Sequence, residues 1–193
     1  MILGITGGTG CGKTTLLRLI QEKGGLVLDC DAIYHALLEQ DKALPAAIEA
    51  RFPGTVEGGV LQRKKLGALV FSDEAALLDL NQITHAAVKS EVLRRLNDSP
   101  ALAAIDAIAL FEGGLAELCQ ITVAVTAPVE DRVRRLMARD GISEDYARRR
   151  IAAQHPAGWF RQRCDFVLEN NGDPEAFRDK CLAFLRRHGI IEA

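Results

Sequence analysis

Gly7-Gly8-Thr9-Gly10-Cys11-Gly12-Lys13-Thr14, "GGTGCGKT", fits G-x-x-x-x-G-K-[ST] at Gly7, Gly12, Lys13 and Thr14. That is the spacing of a loop whose backbone N–H groups wrap the phosphates of a nucleotide. The flanks supply the required context. The apolar run Met1-Ile2-Leu3-Gly4-Ile5 predicts a buried strand before the loop, and Thr14-Thr15-Leu16-Leu17-Arg18-Leu19-Ile20 predicts a helix after it. Glycines allow positive φ and close approach to an anion, and a helix N-terminus adds unpaired N–H groups and a positive dipole end. In such a loop Lys13 reaches the β- and γ-phosphates of ATP and the Thr14 hydroxyl binds Mg²⁺. Gly8, Thr9, Gly10, Cys11, Gly12 and Thr15 complete the candidate cradle. An ordinary glycine-rich βα turn is the other account of the pattern, and the strand and helix on its flanks weigh against it.

Working outward, Gly24-Gly25 stops the first helix, and Leu26-Val27-Leu28-Asp29 is a second short strand ending in acid, continued by Cys30-Asp31. From about Ala32 to Asp98 helical patterns dominate, broken by Pro53-Gly54 and Gly58-Gly59, with Ser72 expected to cap a helix before Asp73-Glu74. Leu80, Ile83 and Ala87 share one face of that helix and Val88, Val92 and Leu96 another; no strand pattern is evident in the block. Strand signals return at 103–110, 121–125 and 165–168. Pro128 fits a first helical position and Ser143 an N-cap, while Pro174 opens a last helix that Gly189 closes. Apolar strands alternating with helices predict a doubly wound α/β fold, a parallel sheet of about five strands covered on both faces. Ligands of such sheets lie beyond the carboxyl ends of the strands, where the loop, Asp29 with Asp31, and Glu112-Gly113-Gly114 are expected to converge.

A chain of 193 residues with 48% hydrophobic and 26% charged residues and a net charge of −2 is that of an ordinary globular protein with one domain or one domain carrying a small lobe. That charge implies no nucleic-acid partner. No stretch approaches membrane-span length and no basic n-region precedes the first strand, so a cytoplasmic protein is expected. Nothing in the sequence speaks to oligomeric state. Five cysteines without a C-x-x-C pair argue against a disulfide framework or a zinc site. Cys11 sits where a helix N-terminus lowers thiol pKa, although filling a small-residue position explains it more simply.

Small-molecule kinases with this loop commonly carry an acid after the second strand. Phosphoryl transfer asks the protein mainly to position groups and neutralise charge, so one carboxylate near the nucleophilic oxygen and one near Mg²⁺ suffice. Asp31 fits the first role and Asp29 the second, and two-residue spacing in extended chain puts both on one side. Asp31 before Ala32-Ile33 also suits a helix N-cap. Between 132 and 150, seven arginines face only Asp140, Glu144 and Asp145, in two predicted helices joined at Asp140-Gly141-Ile142. That arrangement reads as a lid bringing guanidinium forks to the transferring phosphate, with most of the seven spent on surface ion pairs. Arg63-Lys64-Lys65 and His85, in the helical block, are candidates to meet an anionic acceptor, although a lone helical His is more often structural.

These residues resemble the dephospho-coenzyme A kinases. "GITGGTGCGKTT" is similar to the family's T-G-G-x-x-x-G-K-[ST]-T, "LDCDAIYHALL" to D-x-D-x-I-x-H-x-L and "GGVLQRKKLGALVFSD" to G-x-L-x-R-x-x-L-x-x-x-V-F. "LNQITHAAV", "IDAIALFE", "RLMARDGIS", "RRIAAQ" and "CDFVLENNG" follow the remaining family segments in order. Ala86 and Ile108 stand where the family has proline, and Thr9 and Cys11 where it has Ile and Ser. The resemblance implies transfer of phosphate from ATP, with Mg²⁺, to the ribose 3′-hydroxyl of dephospho-CoA. It further implies a helical acceptor lobe near 32–98 and a lid near 132–150. It makes Asp31 the base, with Lys13 and Arg139 on the transferring phosphoryl, and puts Arg139 and Asn170 beside the nucleotide. Asp31, Tyr34, Arg63, His85 and Glu112 would face the acceptor, and Thr14 and Asp29 the metal.

Other readings fit less well. A shikimate-type kinase would show G-G-G and F-R-x-x-E, and neither Phe160-Arg161 nor Phe177-Arg178 is followed by the Glu. An adenylate-kinase-like enzyme would show a Pro-Arg pair, which is absent from the sequence. A GTP-driven switch needs D-x-x-G and N-K-x-D, and no aspartate here has glycine three places on and no asparagine precedes lysine.

Overall fold

The computed structural model describes residues 1–98 and 100–192. The chain begins with β1 (Ile2–Thr6), whose Leu3 and Ile5 are fully buried, and turns through the glycine-rich loop into α1 (Lys13–Glu22). β2 (Leu26–Asp29) follows. Helices α2 (Cys30–Gln40) and α3 (Ala43–Arg51) come next, then a hairpin of β3 (Val56–Glu57) and β4 (Val60–Leu61), then α4 (Arg63–Val70) and α5 (Glu74–Leu96). β5 (Ala103–Asp106), β6 (Ile121–Thr126), α6 (Val129–Asp140), α7 (Glu144–Ala152), α8 (Ala157–Arg163), β7 (Phe166–Glu169) and α9 (Pro174–Arg187) complete the order.

The main sheet has five strands in the order β2-β5-β1-β6-β7. β1 pairs in parallel with both β5 and β6, and β6 with β7. With this parallel pairing, helices carry the chain from β1 to β2, from β2 to β5 and from β6 to β7, while turns and a short 3₁₀ segment (Ala116–Leu118) lead from β5 to β6. α1 and α9 contribute Leu16, Leu19, Ile20, Phe177, Cys181 and Leu185 to one core with Leu3, Ile5, Val123 and Val125.

Two compact units emerge: Met1–Leu28, Pro100–Leu110 and Ala116–Ala193 form the sheet unit, and Asp29–Ser99 with Phe111–Leu115 form a second, helical one. The helical unit has its own core of Leu38, Leu44, Ile48, Phe52, Leu66, Val70 and Ala76, against which Leu80, Ile83 and Ala87 pack.

Several boundaries depart from the sequence expectation. The third strand ends at Asp106, where Ala107 N donates to Ile5 O and the chain leaves the sheet in turns; its apolar continuation packs without pairing. The hairpin β3–β4 was hidden because two-residue strands show no alternation. Asp73, not Ser72, caps α5, accepting from Ala75 and Ala76 N–H, while the Ser72 hydroxyl donates back to Ala68 O. Pro128 is the N-cap of α6 rather than its first residue. Cys30 and Asp31 are already helical, so Asp29 and Asp31 are not two steps of extended chain. Asp29 is the cap, with Oδ1 accepting from Ala32 N at 3.0 Å. A short Asx acceptor at the strand's end lets the helix begin at once.

Candidate active site

The glycine loop in the sheet unit is built by close approach. Gly7 has φ 133°, and a Cβ there would lie 2.1 Å from Val125 O. A Cβ on Gly8 would meet the Arg132 guanidinium at 2.3 Å, and one on Gly12 the Asn170 amide at 2.3 Å. Gly7 and Gly12 also hold positive φ, which favours glycine there, and a side chain at Gly8 would have to displace the buried Arg132 guanidinium. Gly12, at φ 94°, is also the N-cap of α1, so the helix starts at Lys13 with its first N–H groups turned to the loop. Cys11 is buried in the core, which accounts for it as a small packing residue.

Lys13 Nζ donates to Gly7 O at 3.1 Å and lies 3.7 Å from Asp106 Oδ1. The ammonium is thus folded across the loop toward the end of β5, with its side chain only 13% exposed. Thr14 is exposed on the first turn of α1 and Thr15 is half-buried, its N–H donating to Gly12 O. Asp106 was not singled out in the sequence. The signal that finds it is an acid closing an apolar strand that neighbours β1, a place occupied in phosphate-loop proteins by a carboxylate serving the metal.

The loop's other supports come from α6 and the residues after α7 and β7. Arg132, 7% exposed, donates from Nε to Thr9 O at 2.9 Å and from Nη2 to Gln154 Oε1 at 2.9 Å. Gln154 Oε1 accepts in turn from Thr9 N at 2.8 Å, so both the N–H and the C=O of Thr9 are held. Arg135 donates to Gly10 O and Cys11 O at 3.1 and 3.4 Å, and to Asn170 Oδ1 at 3.3 Å. Asn170, expected beside the nucleotide, is 5% exposed and donates to Cys11 O at 2.9 Å. Its amide is spent on loop shape.

Replacing Arg132 by Lys removes the fork that holds Thr9 O and Gln154 together. The expected result is a rise of about tenfold in KM for ATP with the fold retained, since a lost charge-assisted bond in a buried site is worth about 1.5–3 kcal/mol. Steady-state kinetics at saturating acceptor check it, and an unchanged KM removes Arg132 from the loop's support.

α6 and α7 form an arginine-bearing helical hairpin around Val133, Leu136, Ala147 and Ile151, turned at Gly141, whose φ of 64° caps α6. Most of its arginines are ion-paired along the surface. Arg148 grips Glu130 in a bidentate pair at 2.9 and 2.7 Å and also reaches Glu144. Arg139, expected on the phosphoryl, instead gives its fork to Asp140 at 2.6 and 3.0 Å, and Arg150 joins them at 2.7 Å. Hydrogen bonds from Arg139, and then from Arg150, hold the Asp140 carboxyl at a pKa of about 2. The neighbouring carboxylate, within one residue, explains why the tip arginine is drawn there while Arg132 and Arg135, flanking the buried stripe, turn to the loop.

In the helical unit, Asp31 is exposed on the first turn of α2. Asp29, expected at the metal, spends an oxygen on the cap. Further along α2, Arg63 Nη2 donates to His35 Nδ1 at 3.1 Å, which leaves the imidazole proton on Nε2. Burial pushes the Tyr34 phenol up, with the Arg63 charge opposing. The structure therefore joins Tyr34 and Arg63 through α2, and adds His35, which sequence reasoning passed over. His85 is half-buried on α5 and Glu112 exposed on the 111–115 segment.

The family model described as dephospho-CoA kinase matches residues 1–175. A dephospho-CoA kinase of Syntrophotalea carbinolica is 36% identical over 193 residues, covering 97% of this chain and 92% of the relative. One from Deinococcus radiodurans is 39% identical over 96% of this chain and 91% of its own. The crystal structure of TT1252 from Thermus thermophilus superposes with a TM-score of 0.80 at 36% identity, covering 97% of both chains. A shikimate kinase of Acinetobacter baumannii, at 18% identity and a TM-score of 0.53 over 97% of this chain and 92% of its own, shares the fold. With the phosphate loop, its lysine and the flanking sheet in place, the chain belongs to the dephospho-CoA kinase family.

Proposed function

We propose that the protein transfers the γ-phosphoryl group of ATP to the ribose 3′-hydroxyl of dephospho-CoA, giving coenzyme A. The observation that carries the reading is the glycine loop held open on Arg132, Arg135 and Asn170 with Lys13 lying across it. Family membership adds the acceptor. Backbone N–H groups at the start of α1 receive the phosphates, and Lys13 neutralises charge that spreads over the equatorial oxygens as the phosphoryl moves. Asp31 accepts the proton of the attacking hydroxyl; with Asp29 serving as cap, the helix does not need the Asp31 carboxylate.

Mg²⁺ fits this donor set. The Thr14 hydroxyl and the Asp106 carboxylate are hard oxygen donors that would hold the ion, with water and phosphate supplying its other ligands. Bound there, it would screen the β- and γ-oxygens. Arg63 and Tyr34 on the helical unit address the acceptor's anionic part, with His85 and Glu112 as further acceptor contacts.

Arg139 supports the transferring phosphate once it exchanges Asp140 for a phosphate oxygen. Arg139→Ala should lower kcat/KM more than about tenfold, and Arg139→Lys nearly as much, because an ammonium lacks the bidentate fork. A loss below about threefold transfers the role to Arg135.

The test of the whole reading presents ATP and Mg²⁺ with dephospho-CoA, shikimate and AMP in parallel. Coenzyme A forms and the other two acceptors are left unphosphorylated; preferred turnover of shikimate or AMP overturns the assignment.

A further inference from the structure

Within the sheet unit, three charged residues meet at the tip of the helical hairpin. Asp140 is the last residue of α6, Arg139 precedes it, and Arg150 returns alongside from the last turn of α7. Arg139 gives Nε to Asp140 Oδ1 at 2.6 Å and Nη2 to Oδ2 at 3.0 Å, and Arg150 Nη1 adds a bond to Oδ2 at 2.7 Å. One carboxylate thus takes a two-pronged fork from one arginine and a single N–H from the other. Glu130 and Glu144 stand apart from this cluster, both held by Arg148.

The helix alone gives Asp140 no support, because an anion in the last turn opposes the macrodipole and a cation is preferred there. The two arginines hold the charge, and they keep the carboxyl ionised at any ordinary pH. Arg139 is therefore released to a phosphate when one anion replaces another, not when Asp140 is protonated. The exchange is lopsided. Arg139 leaves with both prongs of its fork, while Arg150 stays on Oδ2, so the carboxylate left behind keeps a cation.

We propose that Asp140 is a positioning residue that holds the Arg139 fork in place of phosphate between turnovers, and that Arg150 eases its release. This rests on the phosphate role given to Arg139 above. While Asp140 holds the fork, the apparent affinity for ATP is reduced by the fraction of molecules in which the fork is free. The Arg139 and Asp140 side chains are 61% and 24% exposed, so the hold is the weak, exchangeable kind of a surface pair. Asp140 and Arg150 then act on ATP affinity with opposite signs, although they are bonded to each other.

The experiment titrates the whole protein with ATP and with ADP, each with Mg²⁺. Asp140→Asn keeps the shape, withdraws the charge and relieves the helix dipole, so the fold is retained. It should lower Kd for ATP about fivefold, the scale of one surface ion pair withdrawn as a competitor. Arg150→Gln should raise Kd for ATP about threefold, because the carboxylate then has Arg139 to itself. The double variant should bind as Asp140→Asn does, since Arg150 acts through the carboxylate. Kd for ADP, which lacks the transferring phosphate, should stay within twofold throughout, whereas a loosened cradle would move both nucleotides. An Asp140→Asn protein within twofold of wild type for ATP, shifts of one sign in the two single variants, or equal shifts for ATP and ADP overturn the proposal. So does a loss that persists in the double variant, which makes Arg150 a phosphate ligand in its own right. Failure of the parent reading is separate: Arg139→Ala then leaves kcat/KM within about threefold.

Discussion

Lys13→Ala should lower kcat by about 10²–10³-fold or more while the melting temperature stays near that of wild type. The magnitude is that of removing one preorganised charge from a transition state whose negative charge has few other partners. Lys13 touches Gly7 O and approaches Asp106 and is not part of the apolar core, so its removal leaves packing intact. Single-turnover measurements separate chemistry from nucleotide affinity. A variant with near-normal kcat overturns the phosphate-loop assignment.

Asp31→Asn should lower kcat by about 10²-fold with the affinity for ATP little changed, because the amide keeps size and hydrogen bonding but takes no proton. Sequence alone left Asp31 as base or helix cap. The structure gives the cap to Asp29, through Ala32 N, so a loss at position 31 cannot come from an unravelled helix start. Asp29→Asn should be mild, since asparagine caps helices about as well as aspartate. An active Asp31→Asn enzyme removes Asp31 from the chemistry.

The sheet was legible because its strands are continuous apolar runs with a loop of fixed spacing between the first strand and its helix. Patterns local to a few residues carried that far. The start of α2 was misplaced because strand and helix meet there with no linker, and hydrophobic period has no room to change. The Arg132–Thr9–Gln154 and Arg135–Asn170 contacts join positions from 22 to 145 residues apart, and nothing in seven similar arginines marks which two turn inward. Asp106 was passed over because the strand signal ran on to Leu110 and hid the acid at the pairing's end.

The grip on the Thr9 backbone has a mechanical consequence. Arg132 lies near the start of α6 and Gln154 just beyond α7, so both roots of the helical hairpin are anchored to one point of the loop. The hairpin behaves as a cantilever. Its base keeps the cradle's shape whatever the tip does, and amplitude grows with distance from the clamp toward Arg139 and Gly141. Amide hydrogen exchange along α6 should therefore slow toward Val133 and quicken toward the tip, and Arg132→Lys should flatten that gradient by loosening the base.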